Sequence, residues 1–95
     1  MIQSFRCKET EKVFNGRFSQ KLPQNIQRLA ARKLEMLDGA GEFDDLKSPP
    51  GNRLEALTGN RSGQHSIRVN DQWRICFVWS ETECIATEVE IVDYH

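Results

Sequence analysis

The residues best equipped for chemistry stand in the last third of the chain. The stretch SIRVNDQWRICFVW, residues 66–79, carries Arg68 and Arg74, and the sequence ends EVEIVDYH. A guanidinium presents forked donors that suit a phosphate. Asp93, Tyr94 and His95 can each move or orient a proton, and imidazole titrates near neutral pH. A chain end usually frays, and a terminal histidine is usually just solvated. These three residues can act only if the strand before them is anchored and brings them beside the arginines.

The pattern around them predicts such a strand. Ser66–Asn70, Trp73–Ser80 and Ile85–Asp93 read as three strands with a period of two. Trp73, Ile75, Phe77 and Trp79 share one face of the second strand. Ile67 and Val69 share one face of the first. Both sets reach the core only through an odd-numbered loop, such as Asn70-Asp71-Gln72. Arg68 and Arg74 then fall together on the opposite face, where like charges repel unless something negative lies between them. In the last strand Ile85, Val89 and Ile91 are expected in the core, with Glu88 and Glu90 outward beside the arginines. Two readings stay open: cross-strand Arg–Glu pairs, or a phosphate held between the arginines.

The rest of the chain supplies what covers the sheet. Ile2–Cys7 is expected as a short strand and Lys8–Phe18 as a short helix. Pro23 opens a clearer helix whose stripe is Ile26, Leu29, Ala30, Leu34 and Leu37, and Gly39 ends it. Breakers at 38–41 and 47–52 bracket Phe43 and Leu46. Leu54, Ala56 and Leu57 suggest a further strand, and Gly59 to Gly63 a turn. Helices first and an antiparallel meander after make an α+β domain.

Bulk properties narrow the class. Ninety-five residues, 38% hydrophobic and 28% charged, suit one small globular domain over residues 1–95. No apolar run approaches a membrane span, and the opening MIQSFRCKETEK turns charged too soon for a signal peptide, so a cytoplasmic location is expected. Cys7, Cys76 and Cys84 form no CxxC pair, which argues against a disulfide framework and a zinc site. The net charge of −1 does not announce a nucleic-acid binder. Its distribution is uneven. Lys47, Arg53, Arg61, Arg68 and Arg74 face only Glu55 and Asp71 in their stretch, whereas Glu35, Asp38, Glu42, Asp44 and Asp45 form an acidic one. The basic stretch can attract phosphate. His65, at the head of a strand, reads as structural or RNA-facing.

GNRLEALTGNRSGQHSIRVNDQWRICFVW, followed by VEIVDYH, resembles the HigB toxins, RelE-like members of bacterial type II toxin–antitoxin systems. The opening MIQSFRCKETEKVF resembles the start of that family, so the likeness spans nearly the whole chain. It implies a compact RelE-like domain with helices packed on a mainly antiparallel sheet. It implies an endoribonuclease that cuts mRNA in the ribosomal A site, and a helix-turn-helix antitoxin, HigA, as partner. Operator DNA would be met only through the antitoxin complex. Arg74 matches the arginine of the family's QWR segment, and Asp93, Tyr94 and His95 match its closing triplet. The chain departs from some members at Thr58, where they carry a lysine before the turn glycine; either Arg53, Arg61 and Arg68 are candidates to replace it, or this member works with fewer cations.

On that resemblance the chemistry is metal-free attack of an RNA 2′-hydroxyl on the adjacent phosphorus, and no cofactor or metal is expected. One group takes a proton, another protonates the leaving 5′-oxygen, and cations hold the extra charge. His95 is assigned as acid or base, and the terminal carboxylate beside it favours its protonated form. Asp93 orients it or acts as the complementary base, and Tyr94 stacks on a base or donates to phosphate. Arg74, with Arg68 or Arg61, holds the scissile phosphate. Two other classes compete: a non-catalytic ribosome- or RNA-binding module, and an antitoxin-partnered co-repressor whose toxicity has decayed.

Overall fold

The structure, a computed structural model, describes residues 1–94. Helix α1 spans Lys8–Phe14 and α2 spans Gln24–Gly39. Four antiparallel strands follow in the order β1-β2-β3-β4: Glu55–Ala56, His65–Arg68, Trp73–Ser80 and Ile85–Asp93. Three 3-10 turns, Phe43–Lys47, Pro50–Asn52 and Gly59–Arg61, fill the connections.

Helix α2 forms where its apolar spacing demands it. Ile26, Ala30, Leu34 and Leu37 are buried, at four- and three-residue intervals, and pack on Ile67, Ile75, Phe77, Val89 and Ile91 of the sheet. Leu29 lies on the margin of that stripe and is exposed, contrary to expectation. Pro23 is the N-cap of α2 and leaves the chain extended before it. Helix α1 is shorter than its sequence suggests. Gly16 takes a φ of +79°, a conformation other residues adopt reluctantly, and Phe18 lies beyond the helix and exposed.

Two hydrogen bonds tie this layer to the sheet. The Ile91 N–H donates to Thr10 Oγ1 at 2.9 Å, and the Ile2 N–H donates to Asp38 Oδ1 at 2.8 Å. The expected first strand, residues 2–7, is only a pair of parallel bridges, Ile2 to Ala86 and Phe5 to Val89. The expected strand over Leu54–Leu57 contracts to two residues, both exposed, and Leu57 is buried just beyond it.

The β2–β3 hairpin has the anticipated register. Ile67 opposes Ile75 and Arg68 opposes Arg74, so Asn70-Asp71-Gln72 is the three-residue loop. Asn70 Oδ1 accepts from the N–H groups of Gln72 and Trp73 at 2.9 and 2.8 Å and shapes this turn.

Strand β4 breaks the expected alternation. Glu90 opposes Cys76, but Thr87 opposes Val78, so one extra residue bulges out of β4 between them. Glu88 sits there with a φ of +55°, exposed, its N–H on Ser4 Oγ at 3.0 Å. The bulge reverses the parity below it. Ala86, Val89 and Ile91 are buried, and Ile85 is displaced from the place its spacing suggested. No helix among the described residues is long and apolar enough to cross a membrane.

Candidate functional site

The register gathers Glu55, Ser66, Arg68, Arg74, Cys76, Glu90 and Val92 on the sheet face opposite the helices. Arg74 is the anchor of this face. It is only 6% exposed, an uncommon state for an arginine. Its Nε donates to Ser66 Oγ at 2.7 Å, and Nη2 donates to the carbonyls of Arg53 at 2.5 Å and Ser66 at 3.3 Å. These acceptors compensate the loss of water around the charge. The Glu55 carboxylate is 4.0 Å away and half exposed, so it contributes little. The Arg53 carbonyl is presented by a left-handed backbone, φ 44° and ψ 56°, just after the Pro50–Asn52 turn.

Arg68 lies opposite Arg74, yet the two charges diverge. Arg68 turns to Asp71 in the hairpin loop and forms an ion pair with it. The expectation that Glu88 and Glu90 compensate these two arginines is therefore corrected: Asp71, Ser66 and two backbone carbonyls do so. Glu88 is carried away by the bulge. Glu90 instead receives Arg61, at 3.4 Å, and Arg6, at 4.0 Å. Arg61 also donates to Gln64 at 3.1 Å.

The chain after β4 reaches this face. Asp93 pairs with Trp73 in register, and Gln72 Nε2 donates to its Oδ2 at 3.1 Å. The Tyr94 N–H donates to the Gln72 carbonyl at 2.6 Å. That bond sets the Tyr94 ring over Arg74, with the guanidinium carbon 5.5 Å from the ring centre, a cation–π contact. Of the expected site residues, Arg74, Tyr94, Arg61, Arg68 and the Arg53 backbone thus meet on or around one face, whereas Asp93, in register with Trp73, falls by parity on the helix side of the sheet next to the hairpin loop. His95 lies outside the described residues.

Other candidates separate clearly. His65 packs edge-on against Phe43, ring centres 4.8 Å apart, and near Phe77, on the helix side of the sheet. Its buried Nδ1 has no hydrogen-bond partner among the described residues. It is a structural residue. Burial, foremost, and the Glu90 charge push the Cys76 thiol up, against the pull of Arg61 and Arg74. A thiol so placed is a poor nucleophile. Phe77 is fully buried, and Trp73 and Trp79 pack against the same core. Among the described residues no three His, Cys, Asp or Glu side chains form a metal-ligand set.

Sequence reasoning missed Ser66, Gln72 and Arg6. A serine or glutamine carries no signal of its own. Their roles appear only once the register shows what lies across from Arg74 and Asp93. Lys33 was missed as well. It donates to Asn52 Oδ1 at 2.5 Å, and burial, then the charge of Arg68, hold its ammonium below the usual lysine range.

Comparison with known proteins fits this arrangement. The Toxin HigB-1 of Vibrio cholerae serotype O1 is 40% identical over 91 residues, covering 95% of this chain and 96% of that protein. The Endoribonuclease HigB of Proteus vulgaris is 32% identical over 96 residues and covers both chains fully. Two solved structures share the fold at low sequence identity. The YoeB–YefM complex from Staphylococcus aureus has a TM-score of 0.57 at 16% identity, with 100% of this chain and 98% of that one covered. The toxin–antitoxin complex RelBE2 from Mycobacterium tuberculosis has a TM-score of 0.53 at 17% identity, with coverage of 100% and 96%. A model of the HigB-like toxins, the RelE-like toxins of type II toxin–antitoxin systems, matches residues 3–95, and this chain belongs to that family.

Proposed function

We propose that this protein is a metal-independent endoribonuclease that cuts mRNA in the A site of the small ribosomal subunit and so arrests translation. The observation that carries the reading is the buried Arg74 guanidinium under the Tyr94 ring, at the end of the strand that leads to His95. The likeness to the Endoribonuclease HigB of Proteus vulgaris supports it.

In this reading the proton transfers and charge stabilisation fall to the chain's own side chains, with no metal or cofactor. The 2′-hydroxyl attacks its own phosphorus, the 5′-oxygen leaves, and a 2′,3′-cyclic phosphate forms. Arg74 holds the phosphate as negative charge accumulates on it. His95 transfers a proton, Asp93 orients it or takes the other proton, and Tyr94 stacks on a base or donates to phosphate. Arg53, Arg61 and Arg68 lead the RNA backbone across the face. A HigA-like helix-turn-helix antitoxin silences the toxin, and operator DNA is met only through that complex. The site of action is the cytoplasm.

The test is incubation of a reporter message with the purified protein, with and without ribosomes, followed by analysis of the new ends. Cuts in phase with A-site codons, seen only with ribosomes and bearing 2′,3′-cyclic phosphate and 5′-hydroxyl ends, are expected. Cuts on free message would remove the ribosome from the reading, and 3′-hydroxyl ends would remove the mechanism. Translation arrest without any cut would leave a binding module.

A further inference from the structure

Arg74 must be both buried and aimed. A guanidinium has five N–H donors in a fixed fork. The single donor of Nε goes to Ser66 Oγ, at 2.7 Å. The two donors of Nη2 go to the carbonyls of Arg53 and Ser66, at 2.5 and 3.3 Å. The two N–H groups of Nη1 are not spent on these three acceptors. Ser66 supplies two of the three, and it lies on β2, buried at 0% exposure. It therefore grips the Nε–Nη2 edge of the fork from one rigid strand. The ring of Tyr94 limits tilt from above.

We infer that Ser66 is the positioning residue of this site: its hydroxyl fixes the Arg74 fork so that Nη1 is the phosphate ligand. The inference rests on the cleavage reading above and extends it to a residue that touches no RNA. Removing the hydroxyl leaves the Arg74 Nε–H buried without an acceptor, and the fork must turn to find one. A misplaced ligand of this kind costs turnover rather than substrate binding.

The experiment compares wild type, Ser66→Ala and Ser66→Thr in single-turnover cleavage on programmed ribosomes. The Arg74 Nε–H is followed by NMR in the same proteins, its signal assigned by its loss in Arg74→Lys. For Ser66→Ala we expect a maximal rate down by about 10- to 100-fold, with half-saturation by ribosomes changed by about twofold or less. Its Arg74 Nε–H should exchange rapidly with water. Ser66→Thr, which keeps the hydroxyl, should recover most of the rate and a slowly exchanging Nε–H. If Ser66→Ala does not fold, Ser66→Cys decides, because it keeps the shape and weakens the acceptor. A reduced rate at unchanged half-saturation then supports the role, and a wild-type rate overturns it. A wild-type rate in Ser66→Ala, or a loss confined to half-saturation, overturns the inference while cleavage by the wild type stands. A wild type that does not cut overturns the cleavage reading itself, and the inference with it.

Discussion

Arg74 shows how two arginines can oppose each other across a hairpin. Each has turned to a different set of acceptors, so the repulsion of the pair is relieved by geometry and not by one shared anion. The choice of residue follows from this. A lysine has one ammonium on a flexible stem and cannot satisfy Ser66 and the Arg53 carbonyl while also meeting a phosphate. Arg74→Lys should therefore lower cleavage at least about 10-fold although the charge is kept. It should also lower stability by about 1–3 kcal/mol in urea titration, because buried acceptors lose their partners. An unaltered cutting rate would show that charge alone suffices. Alternation placed Arg74 on the face opposite the core, and the resemblance to the HigB toxins, through the QWR segment and the closing DYH, singled out Arg74 and Tyr94. Sequence hid Ser66, a small polar residue whose meaning lies in what crosses from the next strand.

Among the elements, β4 decides where the site sits. Its bulge at Glu88 shifts the alternation so that Ala86 enters the core while Glu90 and Val92 keep the Arg74 face. Strict alternation from Ile85 could not reveal it, because an extra residue leaves no mark in composition. Helix α1 braces the far side of this strand. Thr10→Val keeps the shape but leaves the Ile91 N–H without its acceptor, which should cost about 1–3 kcal/mol in urea titration. The same helix carries a pH dependence. Glu9 is held below the usual glutamate range, chiefly by the Ser19 hydroxyl at 2.5 Å and then by Lys12, against the effect of burial. A carboxyl with a depressed folded pKa contributes stability above its unfolded value. That contribution should fade as pH falls from about 4.3 through the lower folded value. Thermal melts of Glu9→Gln should lose this part of the acid sensitivity. A parallel decline of mutant and wild type between pH 5 and about 2.5 would contradict it.

For the molecule as a whole, charge is a matter of place and not of sum. The chain carries a net charge of −1, yet Arg61, Arg68 and Arg74 come from three separate stretches to one side of the sheet, where the Arg53 backbone also meets Arg74. The helices-then-meander order made the α+β class legible, and the strands at 73–80 and 85–93 kept their expected bounds. The convergence of Arg53 and Arg61 with Arg74 was not legible from spacing, because two 3-10 turns bring them in. Such a local field should give ribosome binding that weakens with salt. Arg61→Ala should reduce the slope of log affinity against log salt by about one. An unchanged slope would place Arg61 with Glu90 alone.

The most direct measurement is primer extension on a reporter message in a purified translation system, with wild type, Arg74→Ala and His95→Ala side by side. If this face cuts RNA, the wild type produces A-site cuts that both variants lose while remaining folded and still binding ribosomes. Cuts of wild-type strength from Arg74→Ala would contradict the account, because the chemistry would then lie elsewhere on the protein.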